Sequence, residues 1–115
     1  MANVSKAVIG GREMTECIVI PFMPEFEERM LTGKKTATTR PKKYGTSGDL
    51  FSTFNHTFQL TKVSKVYLSD VCSTAYEREG FNSQPEFIEV WKQLHPRKGY
   101  VPEQLVWFHE FKLVV

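Results

Sequence analysis

The stretch Gly33-Lys34-Lys35-Thr36-Ala37-Thr38-Thr39-Arg40 decides how the rest of the chain is read. Its second half is rich in β-branched residues, which predicts an extended segment. In a strand, Thr36, Thr38 and Arg40 share one face and Lys35 points to the other. A turn ending near Lys35 removes that constraint, and Gly33 gives the backbone the freedom to make it. Lys35, Thr38 and Arg40 then converge on one cleft. An ammonium and a guanidinium beside a hydroxyl suit an anion or a polarised carbonyl. The same spacing also fits two solvated cations around an ordinary strand former.

Upstream, Pro24 stands at a first-turn position of a helix, with Glu25, Glu27 and Glu28 near the positive end of its dipole. Phe26 and Met30 share a face, and Gly33 sits where a C-terminal cap belongs. Ile18-Val19-Ile20 reads as a short buried strand. Residues 1–16 are polar, contain Gly10-Gly11 and keep no period, which predicts a flexible N-terminal extension before a domain spanning residues 17–115.

Downstream, Leu50 to Phe54 and Thr57 to Leu68 predict a hairpin connected at Asn55-His56. Val63, Val66 and Leu68 do not keep one parity, so the longer strand is expected to carry a bulge. Ser69 or Asp70 can cap a helix running to about Glu79, with Gly80 ending it. Ser83-Gln84-Pro85-Glu86 is a capping box with proline just inside the start. The helix that follows presents Phe87, Val90, Trp91 and Leu94 as a core stripe and stops at His95-Pro96. Gln104 to Val115 reads as a closing strand. Few strands and irregularly interleaved helices predict an α+β fold, with a small mixed sheet curled into a barrel and flanked by short helices.

The 115 residues suit one domain, and 41% apolar content with nine Phe, two Trp and four Tyr supplies a core. Six basic residues and no acid lie between Arg29 and Gly48, which leaves the remainder with a net charge of −4. A concentrated positive segment points to a local anion site rather than a basic coat, although a solvated basic loop fits as well. The longest apolar stretch is far short of the roughly 20 residues of a membrane span, and no signal peptide is recognisable. Cys17 and Cys72 are expected to be buried free thiols in a reducing, cytoplasmic setting. His56, His95 and His109 do not cluster with other ligands, so neither a metal nor a cofactor is expected.

Glu79 lies four residues after Ala75, on the apolar side of its predicted helix. A carboxylate there is either paired for structural reasons or serves as an acid or base. At these residues the chain resembles the ASCH family, whose G-x-K-x-x-T-x-R signature is matched by Gly33, Lys35, Thr38 and Arg40. Ser47-Gly48-Asp49, Glu79-Gly80-Phe81, Phe87, Trp91 and the segment Trp107 to Phe111 follow in the family's order. The resemblance covers roughly residues 17–113.

This resemblance implies a PUA-like β-barrel with a cleft beside it and a ligand that is RNA or a modified nucleoside. Small stand-alone members hydrolyse N4-acetylcytidine, and their catalytic Lys, Thr and Glu match Lys35, Thr38 and Glu79. Arg40 matches the motif arginine. Gly33, Lys42, Lys43, Tyr44 and Phe81 are the further candidates for contacting substrate. Here Pro41-Lys42-Lys43 replaces the acidic residues those enzymes carry. A non-catalytic RNA-binding module and a ribonuclease using Lys35 and Glu79 are the competing readings.

Overall fold

The structure, a computed structural model, describes residues 5–9 and 12–114, with side chains described from residue 17 onward. Strands β1 (Ser5–Ile9) and β2 (Arg12–Ile18) form an antiparallel pair. A 3₁₀ turn (Pro24–Phe26) runs into α1 (Glu27–Leu31). Then come β3 (Ala37–Arg40), β4 (Leu50–Thr53), β5 (His56–Tyr67), α2 (Leu68–Thr74), α3 (Gln84–Leu94) and β6 (Leu105–Leu113). The strands form one mixed sheet in the order β1-β2-β4-β5-β6-β3, so the protein is α+β. No ladder among the described strands joins β3 back to β1, and the expected barrel is not closed by hydrogen bonds.

Local chemistry accounts for most of the boundaries. Pro24 begins its turn, and Gly33, at φ +83°, follows the Thr32 cap of α1. The β4–β5 turn uses Phe54 and Asn55, both at positive φ, one residue earlier than the expected connection. Two consecutive left-handed residues match the twist of a tight hairpin. The expected bulge lies between Leu60 and Lys62, where the register with β6 shifts. Ser83 Oγ accepts the Glu86 N–H (3.2 Å), and Glu86 Oε1 reaches back to the Asn82 N–H (2.9 Å), so the capping box starts α3.

Three expectations change. The stretch read as an extension contains β1 and most of β2, and the boundary drawn after residue 16 falls inside β2. The strand expected over Ile18-Val19-Ile20 ends at Ile18, leaving Val19 exposed and Ile20 buried. Most consequentially, α2 stops at Thr74 and never reaches Glu79. Arg78 O instead accepts both the Thr36 and Ala37 N–H groups (2.8 and 3.1 Å). That binds the segment to the strand β3 and removes it from helical geometry.

The core is largely aromatic. Phe51, Phe58 and Phe111 meet with ring centroids 5.4–5.6 Å apart, and Phe22 stacks on Phe51. Phe87 and Trp91 of α3 are buried, and a chain of rings runs Phe26–Phe81–Phe87–Trp91. This aromatic column links the 3₁₀ turn to α3 through Phe81, two residues after Glu79. Cys72 is buried and Cys17 only half-buried, and both are free thiols.

Candidate functional site

The turn at Gly33 carries the chain from α1 back along the 76–81 segment. Lys35 N–H donates to Arg29 O (2.7 Å), and Lys35 pairs with Glu79 in an isolated β-bridge. Both side chains are buried, Lys35 at 2% exposure and Glu79 at 4%. Lys35 Nζ donates to the Glu79 main-chain carbonyl (2.8 Å) and lies 3.5 Å from Glu79 Oε1. It also sits over the Phe26 ring at 4.6 Å and the Phe81 ring at 5.9 Å. Aromatic faces attract a cation, which offsets part of its desolvation. Burial nonetheless pushes the Lys35 amine from 10.5 down to about 8, against the raising effect of Glu79, with Arg40 and Arg29 lowering it further.

On β3 the threonines divide their tasks. Thr39 Oγ1 donates to Glu79 Oε2 (2.6 Å) and so orients the carboxylate. Thr38 Oγ1 accepts from Arg40 Nε (3.2 Å). With the guanidinium on its oxygen, the Thr38 hydroxyl keeps its own proton available for a base. Arg40 is fixed by donation to Pro21 O (2.6 Å) and by stacking over Phe22 (4.9 Å) and Tyr44 (5.6 Å).

Lys35, Thr38, Thr39, Arg40 and Glu79 line one cavity of about 510 Å³. Phe81, also expected at the site, lies on its wall. Phe22, Phe26, Trp91 and Leu94 supply apolar surface, so a small polar centre sits in a largely aromatic slot. This is the usual make-up of a small-molecule site. Gly33, Lys42, Lys43 and Tyr44 do not line the cavity. Gly33 makes the turn, Tyr44 packs behind Arg40, and Lys42 and Lys43 lie over the rings of Tyr44 and Trp107.

Several residues at or behind this wall were invisible to sequence reasoning. Thr39 was masked by the alternation rule, which placed Thr38 and Arg40 on the productive face. His95 lines the cavity, its ring 4.2 Å from Trp91. Burial and the Arg40 charge hold its imidazole below the usual range. His109 is fully buried behind β3, its Nε2 accepting the Tyr44 N–H (3.1 Å) and its Nδ1 lying 3.3 Å from Thr38 O. Among the described residues no group of three His, Cys, Asp or Glu side chains could hold a metal ion. No described helix is long and apolar enough to cross a membrane.

By sequence, no family model and no curated protein matches the chain. Solved structures do. An ASCH domain from Lactobacillus crispatus JV V101 is similar with TM-score 0.57 and 16% identity, over 75% of this chain and 68% of that one. Protein EF3133 from Enterococcus faecalis V583, of the DUF984 family, gives TM-score 0.57 and 20% identity over 78% and 70%. Hypothetical protein PH0355 gives TM-score 0.64 and 16% identity over 81% and 94%. At these identities the likeness is one of architecture, and the chain has an ASCH-like fold.

Proposed function

We propose that the cleft binds a modified nucleoside and hydrolyses its exocyclic amide, with N4-acetylcytidine as the representative substrate. The observation that carries this reading is a buried lysine with its pKa brought down to about 8, in one cavity with an arginine-bound threonine hydroxyl and a carboxylate. A neutral amine of that basicity can take a proton near physiological pH. Thr38 Oγ attacks the acyl carbonyl and Lys35 receives its proton. Arg40 stabilises the oxygen charge that develops. The C–N bond then breaks, the Lys35 ammonium returns the proton to the departing exocyclic nitrogen, and water releases acetate from Thr38. Glu79 holds Lys35 in place and orders that water. The aromatic walls take the face of the base, and the presence of an ASCH domain among the fold neighbours accords with the nucleoside ligand that the sequence resemblance implies.

The test is acetate release from free N4-acetylcytidine. The native protein turns over. Lys35→Ala and Thr38→Ala each lose about 10²–10⁴-fold, and kcat/KM rises with pH through about 8 as Lys35 gives up its proton. An inert native protein that instead binds labelled RNA with steep salt dependence refutes the hydrolase reading. Such binding releases counterions with each phosphate contact, whereas a neutral nucleoside is nearly indifferent to salt.

A further inference from the structure

His109 stands outside the cavity, yet it touches both segments that carry the Arg40 side of the wall. It is on β6, directly opposite Thr38 of β3 and Val63 of β5. A backbone N–H can only donate, so the Tyr44 N–H fixes Nε2 as an unprotonated acceptor. The neutral ring then carries its proton on Nδ1, facing Thr38 O. One buried imidazole therefore ties the strand bearing Thr38 and Arg40 to the loop bearing Tyr44. The Tyr44 ring in turn lies against Arg40 and edge-on to His109 itself.

We propose that His109 is a positioning residue whose neutral ring clamps the Thr38 and Tyr44 backbones together and so sets the Thr38–Arg40 wall of the cleft. Its consequence for catalysis rests on the hydrolase reading, whereas the clamp does not. Protonating Nε2 replaces an acceptor with a donor that faces the Tyr44 N–H, and the two repel. Burial holds the imidazole below its usual range, the hydrogen bond to Thr38 opposes this, and the Arg40 and Lys43 charges add to it. Those two cations, on β3 and in the following loop, are the charges that act on the ring. Val63 opposite is uncharged, and Glu110 beside it is engaged by Arg78. The clamp is intact above the ordinary imidazole pKa of about 6.5 and opens as pH falls through the lower value in the fold.

Amide hydrogen exchange at Tyr44 reads the clamp without any ligand. In the native protein, Tyr44 is protected at pH 7.5 and its protection factor falls as the solution is acidified below 6.5. His109→Phe, which fills the space without bonding, lowers Tyr44 protection at least 10-fold at every pH. His109→Gln offers an oxygen in place of Nε2, so it keeps the protection and abolishes the acid loss. In turnover of N4-acetylcytidine, His109→Phe lowers kcat/KM about 10-fold or more, and His109→Gln keeps the Lys35 limb near pH 8 but loses the further fall that the native protein shows below about 6.5. Unchanged Tyr44 protection in His109→Phe, or an acid loss of that protection that persists in His109→Gln, overturns the proposal. Should His109→Phe fail to fold, the glutamine variant decides alone. Absence of native turnover with the exchange pattern intact refutes the hydrolase reading and leaves the clamp standing.

Discussion

Replacing Glu79 by glutamine isolates the charge that keeps Lys35 company. The main-chain carbonyl that accepts Lys35 Nζ at 2.8 Å is untouched, and the new amide oxygen can still accept from Thr39 Oγ1. Only the carboxylate charge 3.5 Å from Nζ is lost. Burial and Arg40 then act on Lys35 with nothing comparable to raise it, so its pKa falls below about 8. The native fold already depresses this amine from 10.5 to about 8, a cost of about 3 kcal/mol whenever it is charged. In the variant the amine escapes further cost by releasing its proton. At pH 7, deprotonating a group of pKa near 8 costs about 1 kcal/mol, which caps the extra destabilisation from Lys35. Truncating one partner of a buried pair whose other member cannot discharge costs about 3–5 kcal/mol. Above pH 8 the native amine is itself neutral, and Glu79 has no cation at Lys35 to hold. Urea denaturation of native and variant proteins at pH 7 and 9.5 should therefore show a loss of about 1 kcal/mol that vanishes or reverses at the higher pH. A loss of about 3 kcal/mol or more that is the same at both pH values would mean that Lys35 stays charged throughout. The lysine could then not act as a base, and the proposed mechanism would fall with it.

Two further substitutions test how the cleft is built. Gly80 sits at φ +95°, and an added Cβ would lie 3.0 Å from Lys35 Cβ. Gly80→Ala should therefore cost about 1–2 kcal/mol in backbone strain and, by displacing Lys35, reduce turnover more than the stability loss explains, as thermal melts and kinetics on one preparation would show. Ser83→Ala removes the acceptor of the Glu86 N–H and should cost about 1 kcal/mol by denaturation, with little change in the pH dependence of activity, because neither Ser83 nor Glu86 lines the cavity.

Much of the fold was legible because its signals are local. Proline at the start of a turn, glycine at a helix end and the Ser83-to-Glu86 box each act through neighbours within four residues. The strand through Thr38 and the bulge in β5 follow from β-branching and broken alternation. The β1–β2 pair was not legible. Half of its residues are polar and their alternation is weak, and part of what fixes β2 is a parallel ladder to β4 through Cys17 and Ile18, some 33 residues away in sequence. Barrel closure was likewise beyond reach, because it depends on whether the two end strands meet.

Glu79 shows where local reasoning reached a site for an incomplete reason. The apolar spacing from Val71 and Ala75 placed its side chain toward the interior on the assumption of a continuous helix. It is interior, but on a non-helical segment held by two hydrogen bonds from the start of β3 and by the bridge to Lys35. Those partners lie more than 40 residues upstream, and no window of sequence around residue 79 contains them. The difference matters for chemistry. On a helix end, the carboxylate would face the negative pole of a dipole. On the bridge, its own carbonyl and one carboxylate oxygen both meet the same ammonium, while the other oxygen is held by Thr39. The cleft thus has a lysine whose position is set by backbone geometry and whose proton affinity is set by burial against one adjustable charge. Those two controls are separable, which is why a variant that changes only the charge is informative about the base.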